Sequence, residues 1–259
     1  MKLASWNVNS LKVRLPHLLD WLARQAPEIV CLQEIKLEDA RFPVEAIEAA
    51  GYHCVWSGQK TYNGVAILSR AILEDVAAGM PAFPDEQKRV IAATVGKGAD
   101  AIRVVCAYVP NGQTVDSEKY EYKLRWLAAF RRQLEEELRQ NPRLAVLGDY
   151  NIAPADEDVH DPKTWEGQIL CSPREREAFR TLIALGLKDS FRMFPQQEKS
   201  FTWWDYRMNG FKRNLGLRID HILLSSDLVL LCRGCAIDLE PRRLPRPSDH
   251  TPVMAELEL

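Results

Sequence analysis

The 259-residue sequence has no apolar run near the eighteen or so residues that would cross a bilayer, so nothing in it reads as a membrane span. No glycine- and serine-rich linker, low-complexity tract or short repeat divides it, which leaves one continuous domain over 1–259 as the expected organisation. Cysteine is scarce. Six residues are too few for a disulfide scaffold in a chain of this size, and Cys31, Cys54 and Cys106 lie in apolar runs where thiols pack as small hydrophobes. Cys232 and Cys235 form a lone CxxC without the second ligand pair of a zinc site, so they too read as structural. An apolar signal core is also missing after Met1-Lys2, and the expected location is the cytoplasm. Neither sign of charge is in excess. A net charge of −2 excludes a surface coated in positive charge for indiscriminate nucleic-acid binding. Basic residues cluster locally instead: Arg207, Lys212, Arg213 and Arg218 in one loop region, and Arg242, Arg243 and Arg246 ahead of a terminal Asp-His.

What remains is the alternation of a soluble α/β chain. Strands are expected at Lys2 to Trp6, Ile29 to Gln33, Gly64 to Ser69, Arg89 to Val95, Ile102 to Val109, Leu144 to Leu147, Ile219 to Leu224 and Pro252 to Leu257. Helices are expected from about Leu15 to Arg24, from Asp116-Ser117 to Asn141-Pro142, and near Arg174 to Leu185. The middle helix carries Tyr120, Leu124, Leu127, Leu134 and Leu138 on one face. Two packed sheets covered by helices would bury such elements.

The polar residues that interrupt this pattern sit at strand ends. Asp149 and Asn151 follow the strand Leu144 to Leu147, with Gly148 allowing the backbone to turn. Glu34 ends the apolar strand Ile29 to Gln33, and Asn7 and Asn9 follow the first strand with their side chains on the same side. Asp220 stands inside an apolar strand, where a carboxylate is costly unless paired. The imidazole of His250 is its natural partner, because a carboxylate on one ring nitrogen orients the ring and frees the other for substrate. Alternation aims His221 at the opposite face from Asp220, so it reads as structural. His17, His53 and His160 have no constellation around them. The set Glu34, Asp149, Asn151 and Asp249 is rich in oxygen and lacks clustered cysteines, which favours Mg²⁺ or Mn²⁺ over zinc.

These segments resemble a known family. Trp6-Asn7-Val8-Asn9-Ser10, Leu32-Gln33-Glu34, Asn63-Gly64-Val65-Ala66, Ala107-Tyr108-Val109-Pro110-Asn111, Gly148-Asp149-Tyr150-Asn151, Leu217-Arg218-Ile219-Asp220-His221 and Ser248-Asp249-His250 are similar, in order, to motifs of exonuclease III and the apurinic/apyrimidinic (AP) endonucleases. Both belong to the endonuclease/exonuclease/phosphatase superfamily. The resemblance implies an α/β fold, a four-layer αββα sandwich of two mixed sheets flanked by helices, with the active site at one end. It also implies roles. Glu34 binds Mg²⁺, with Asn7, Asp249 and Asn9 close by and Asp149, Asn151 and His250 completing the metal surroundings. Asp149 activates or orients water, Tyr108 and Asn151 hold the phosphate, Asp220 orients His250, and either Asp149 or His250 takes the proton. Trp203, Trp204 and Leu217 match a pocket for a flipped abasic sugar, and Asn111 and Arg218 are expected on DNA. A second Trp in Phe201-Thr202-Trp203-Trp204 and Asn9 in place of an Asp depart from the family pattern.

The activity expected is that of a Mg²⁺-dependent DNA repair nuclease acting on duplex DNA as a monomer. It would release 5′-mononucleotides from 3′ ends and cut 5′ to abasic sites. A phosphatase of inositol phosphates or lipid headgroups would use the same acids, and a noncatalytic DNA-binding module would have little reason to hold converging carboxylates against their repulsion.

Overall fold

The computed structural model describes residues 1–258. In chain order the first strands are β1 (Lys2–Asn7), β2 (Ile29–Gln33), β3 (His53–Ser57), β4 (Val65–Ser69), β5 (Leu73–Ala78), β6 (Val90–Val95) and β7 (Ile102–Tyr108). They are followed by β8 (Leu144–Asp149), β9 (Lys188–Asp189), β10 (Trp203–Trp204), β11 (Gly216–Leu217), β12 (Asp220–Leu224), β13 (Cys232–Ile237) and β14 (Val253–Leu257). The helices are α1 (Leu11–Gln25), α2 (Val44–Ala49), α3 (Glu118–Gln140), α4 (Pro162–Trp165), α5 (Pro173–Ile183) and α6 (Ser226–Leu231).

Two six-stranded sheets run in the orders β13-β14-β1-β2-β4-β3 and β5-β6-β7-β8-β12-β9. Each is mixed: β1 pairs with β2 and β7 with β8 in parallel, and the neighbouring pairs are antiparallel. Alternate residues of each strand meet between the sheets, with Leu3, Ile29, Cys31 and Ile67 against Val104, Cys106, Leu147 and Ile222. The opposite face of the first sheet, including Trp6, Val30 and Leu32, is covered by Leu18, Trp21 and Leu22 of α1 and Ile47 of α2. The outer face of the second, including Val105, Val146 and Leu223, is covered by Trp126, Phe130 and Leu134 of α3 and Phe179 and Leu182 of α5. The result is the four-layer αββα sandwich of two mixed sheets expected from the sequence.

Differences from the expected elements have local causes. Helix α1 begins at Leu11, a turn before the expected start, because its first amide is satisfied by tertiary contact: Ser10 caps nothing with its side chain, while Leu11 N donates to Ile35 O at 3.0 Å. Strand β8 continues two residues past Leu147, carrying Asp149 within the ladder. Gly148 sits there for space rather than for a turn, since any Cβ would overlap the Ala107 carbonyl oxygen on β7. Edge strands β5 and β13 have no clean alternation to read. Five of the six residues of β5 are exposed, and β13 contains a glycine and an irregular register between Cys232 and Gly234.

Candidate active site

Strand parity builds the site. On β1, Leu3 and Ser5 face the other sheet, and Asn7 is the next residue in that row; on β7 the row ends at Tyr108, and on β8 at Asp149. Tyr108 is in register with Asp149, and Asp149 with Asp220, the first residue of β12. Tyr108, Asp149 and Asp220 therefore stand side by side at one end of the second sheet, and Asn7 meets them from the first. Asn7 donates through Nδ2 to both Asp149 Oδ2 (2.9 Å) and Glu34 Oε1 (2.8 Å), so one amide joins the two sheets.

Glu34 follows β2 with φ 52°, a left-handed conformation that a non-glycine residue rarely adopts and that turns its carboxylate toward Asn7. Among the described residues, Glu34, Asp149 and His250 form a group of acidic and imidazole side chains whose ligand atoms lie within 4.8 Å of one another. The oxygen-rich set fits a hard divalent cation. A positive charge already stands beside it: Lys36 Nζ lies 2.7 Å from Glu34 Oε2 and donates to Asn9 Oδ1 at 2.6 Å. Lys36 was not singled out in the sequence, where only its place two residues after Glu34 pointed to it.

His250 is held from several sides. Asp220 Oδ2 lies 2.9 Å from its Nδ1, and its Nε2 faces Asp149 Oδ2 at 3.7 Å. Its backbone N–H donates to Ser248 Oγ, whose hydroxyl in turn donates to Asn7 O at 2.7 Å. Burial alone would lower the pKa of His250, but Asp220, Asp149 and Asp249 together outweigh it and push it up to about 10. Asp149 is pushed up to about 7 by burial, which the nearby imidazolium offsets only in part. The two titrate as a pair. Burial, with Glu34 and Asp149 adding to it, holds the Tyr108 phenol well above its ordinary value. Asp220 Oδ1 is buried without a partner, so this carboxylate rests on His250 alone, while its backbone N–H donates to Thr202 Oγ1 at 3.1 Å.

The remaining residues divide. Asn151, left-handed at φ 50°, receives Asn111 Nδ2 on its Oδ1 and donates to Val109 O, so both amides line the rim beside Asp149. Asp249 is held at the side, accepting from Asn9 Nδ2 (2.8 Å) and from the indole of Trp203 (3.1 Å). Lys123, also absent from the sequence reading, is wholly buried beneath them and donates to the carbonyls of Asn111 and Asn151 while pairing with Glu175. Arg14 reaches from α1 to Pro247 O and Asn9 O and so clamps the terminal Asp-His loop. Three expectations are corrected. Arg218 is 1% exposed and spent on Asp158 and Asp189, so it does not face DNA. Leu217 is fully buried among Ala153, Val159 and Leu170, and Trp204 is buried against Phe211 with its indole on Asn214; of the three expected pocket residues only Trp203 keeps exposed surface. His221 points to the outer face, as alternation requires, and packs edge-on to Tyr150 and tilted against Phe179.

Fold and site together define a four-layer α/β sandwich with an acidic, metal-competent cluster at one rim. A profile of the Endonuclease/Exonuclease/phosphatase family matches residues 4–250, and the chain belongs to that family. It is 38% identical over the whole of both chains to exodeoxyribonuclease III of Haemophilus influenzae. Among solved structures it is similar to the 3′ phosphatase NExo from Neisseria bound to a product DNA hairpin, with a TM-score of 0.97, 49% identity and full coverage of both chains. An AP endonuclease from Archaeoglobus fulgidus aligns at a TM-score of 0.94 and 37% identity, again over all of both chains.

Proposed function

We propose that the protein is a Mg²⁺-dependent DNA repair nuclease, one domain over 1–259 acting as a monomer in the cytoplasm. It removes 5′-mononucleotides from 3′ ends of duplex DNA and cuts 5′ to abasic sites. The observation that carries the reading is the convergence of Glu34, Asp149 and His250 at the sandwich rim, held by Asn7 and Asp220. Full-length similarity to an exodeoxyribonuclease III and to a protein solved on a DNA hairpin supports DNA as the substrate. The same acids suit a phosphomonoester at a DNA 3′ end, the reaction named for the Neisseria protein.

In this reading Glu34 and Asp149 hold the metal, with Asn7, Asn151, Asp249 and His250 around it. The ion, when bound, supplies positive charge at the phosphate and a more acidic water. Asn7 keeps the two carboxylates at a fixed separation, and Tyr108 and Asn151 orient the phosphate. The Asp149–His250 pair handles the proton of the attacking water, and Asp220 keeps the ring aimed. A general base accounts for only about 10²–10⁴-fold of the very large accelerations phosphate esters need, so charge placed at the rim must supply the rest.

End-labelled duplexes with recessed, abasic and 3′-phosphate ends, incubated with Mg²⁺ or chelator, test the proposal. Cleavage is expected only with metal, and Asp149→Asn should lower the rate at least about 10²-fold. Wild-type protein that leaves every duplex intact would overturn it.

A further inference from the structure

Of the three arginines ahead of the terminal Asp-His, Arg243 is exposed and paired with Glu240, and Arg246 is exposed and gives its carbonyl to Arg14. Arg242 is different. It is 6% exposed, no carboxylate pairs with it among the described residues, and its Nε is buried without a partner. Aromatic rings face it instead. The guanidinium carbon lies 4.9 Å from the centre of the Phe211 ring, 5.7 Å from that of Trp204 and 5.8 Å from that of Tyr206.

Taking a guanidinium out of water without a carboxylate to meet it is costly, and burial holds the pKa of Arg242 below the ordinary arginine value. A long apolar side chain would fill the same space without that cost. What the charge adds is attraction to the negative faces of the rings, which grows as water is excluded. The contacts also join two loops. The rings come from β10 and the loop after it, whereas Arg242 Nη1 donates to Ser248 O, in the loop that carries Asp249 and His250. Other bonds cross the same seam: Trp204 N–H donates to Asp249 O at 3.0 Å, and the Tyr206 hydroxyl donates to Pro247 O at 2.8 Å. Ser248 Oγ carries the link on to Asn7 O.

We infer that Arg242 is a positioning residue: its cation, caged by Trp204, Tyr206 and Phe211, pins the loop after β10 to the Asp-His loop and so fixes Asp249 and His250 at the rim. The inference rests on the proposed nuclease reading for its effect on turnover, but not for its effect on the loops. The competing account is that Arg242 only fills space, in which case its charge is dispensable.

Hydrogen exchange at the Trp204 amide, which donates to Asp249 O, reports the seam directly and needs neither metal nor substrate. Arg242→Met keeps an unbranched apolar stem and loses the charge, so this amide should exchange at least about tenfold faster. In turnover on an abasic duplex its kcat should fall about tenfold with KM nearly unchanged, the mark of a misplaced group and not of lost binding. Arg242→Lys keeps a cation for the cage and should bring exchange and kcat back to within about threefold of the parent. Phe211→Leu, which keeps apolar bulk but removes the nearest ring face, should speed exchange about threefold. The role is overturned if lysine does no better than methionine, if Phe211→Leu exchanges like the parent, or if Arg242→Met of an active enzyme keeps the parent's kcat. A protein that shows the exchange pattern but cuts no duplex would sink the nuclease reading alone, and one that cuts but lacks the pattern would sink the role of Arg242 alone.

Discussion

At the scale of single residues, the site rests on a carboxylate that has almost nothing else to do. Asp220 is wholly buried, one of its oxygens is unpartnered, and the other meets His250 Nδ1. Removing its charge takes away the largest of the three carboxylate influences that keep the imidazole protonated. In Asp220→Asn the His250 ring, followed by NMR across pH, should titrate well below its position in the parent, which lies far above that of an ordinary histidine. The same variant should lose about 10²-fold or more in kcat with less than about a threefold change in DNA affinity. Equal losses in both would mean that Asp220 serves packing and not the ring. Neutral neighbours explain why the sequence marked this residue: an acid within Ile219, Ile222, Leu223 and Leu224 has no apolar reason to be there.

At the scale of elements, the register of β7 with β8 decides whether Tyr108 and Asp149 meet. The approach of the two strands is so close at Ala107 and Gly148 that no side chain fits between them. Gly148→Ala should therefore push the strands apart and destabilise the protein by about 3 kcal/mol, measured by denaturant unfolding. It should also lower activity beyond what the lost folded fraction explains, since Asp149 is the next residue. The strands themselves were readable where one face or both are apolar, as in β2, β4, β7 and β12, because burial leaves a pattern. The two-residue strands β10 and β11 were not, being too short to carry a period, and yet they position Trp203 beside Asp249.

At the scale of the molecule, a buried charge network ties the outer layer to the site strand. Arg218 bonds Asp158 Oδ1 at 2.6 Å, Asp189 Oδ2 at 2.8 Å and His221 Nδ1 at 2.9 Å, while His221 Nε2 donates to Ile152 O. With Nδ1 accepting from a guanidinium the ring must be neutral, and burial followed by Arg218 lowers its pKa to about 4. Between pH 6.5 and 4 the unfolded chain binds a proton there that the folded chain refuses, so stability falls as pH falls, by about 1.4 kcal/mol per unit from this group. Denaturant unfolding at pH 7 and pH 4.5 should show the parent losing about 2 to 3 kcal/mol more than His221→Gln, which has no ring to protonate. Identical losses would show that the ring is protonated in both states.

By itself the sequence determined the alternation that specifies two sheets under helices, and it determined which polar residues packing cannot explain: Asn7, Glu34, Asp149 and Asp220 interrupt or end apolar runs, and His250 is the natural partner for Asp220. Charge in an apolar neighbourhood is costly, and that cost is visible along the chain. Tertiary structure alone decided the rest. Lys36 beside Glu34, Lys123 under Asn151 and the burial of Arg218 and Leu217 all depend on which loops meet at the rim. A lysine or glutamine that is ordinary on a surface acquires its role only from the neighbours that folding supplies, and those neighbours lie too far apart in the chain for any local pattern to record them.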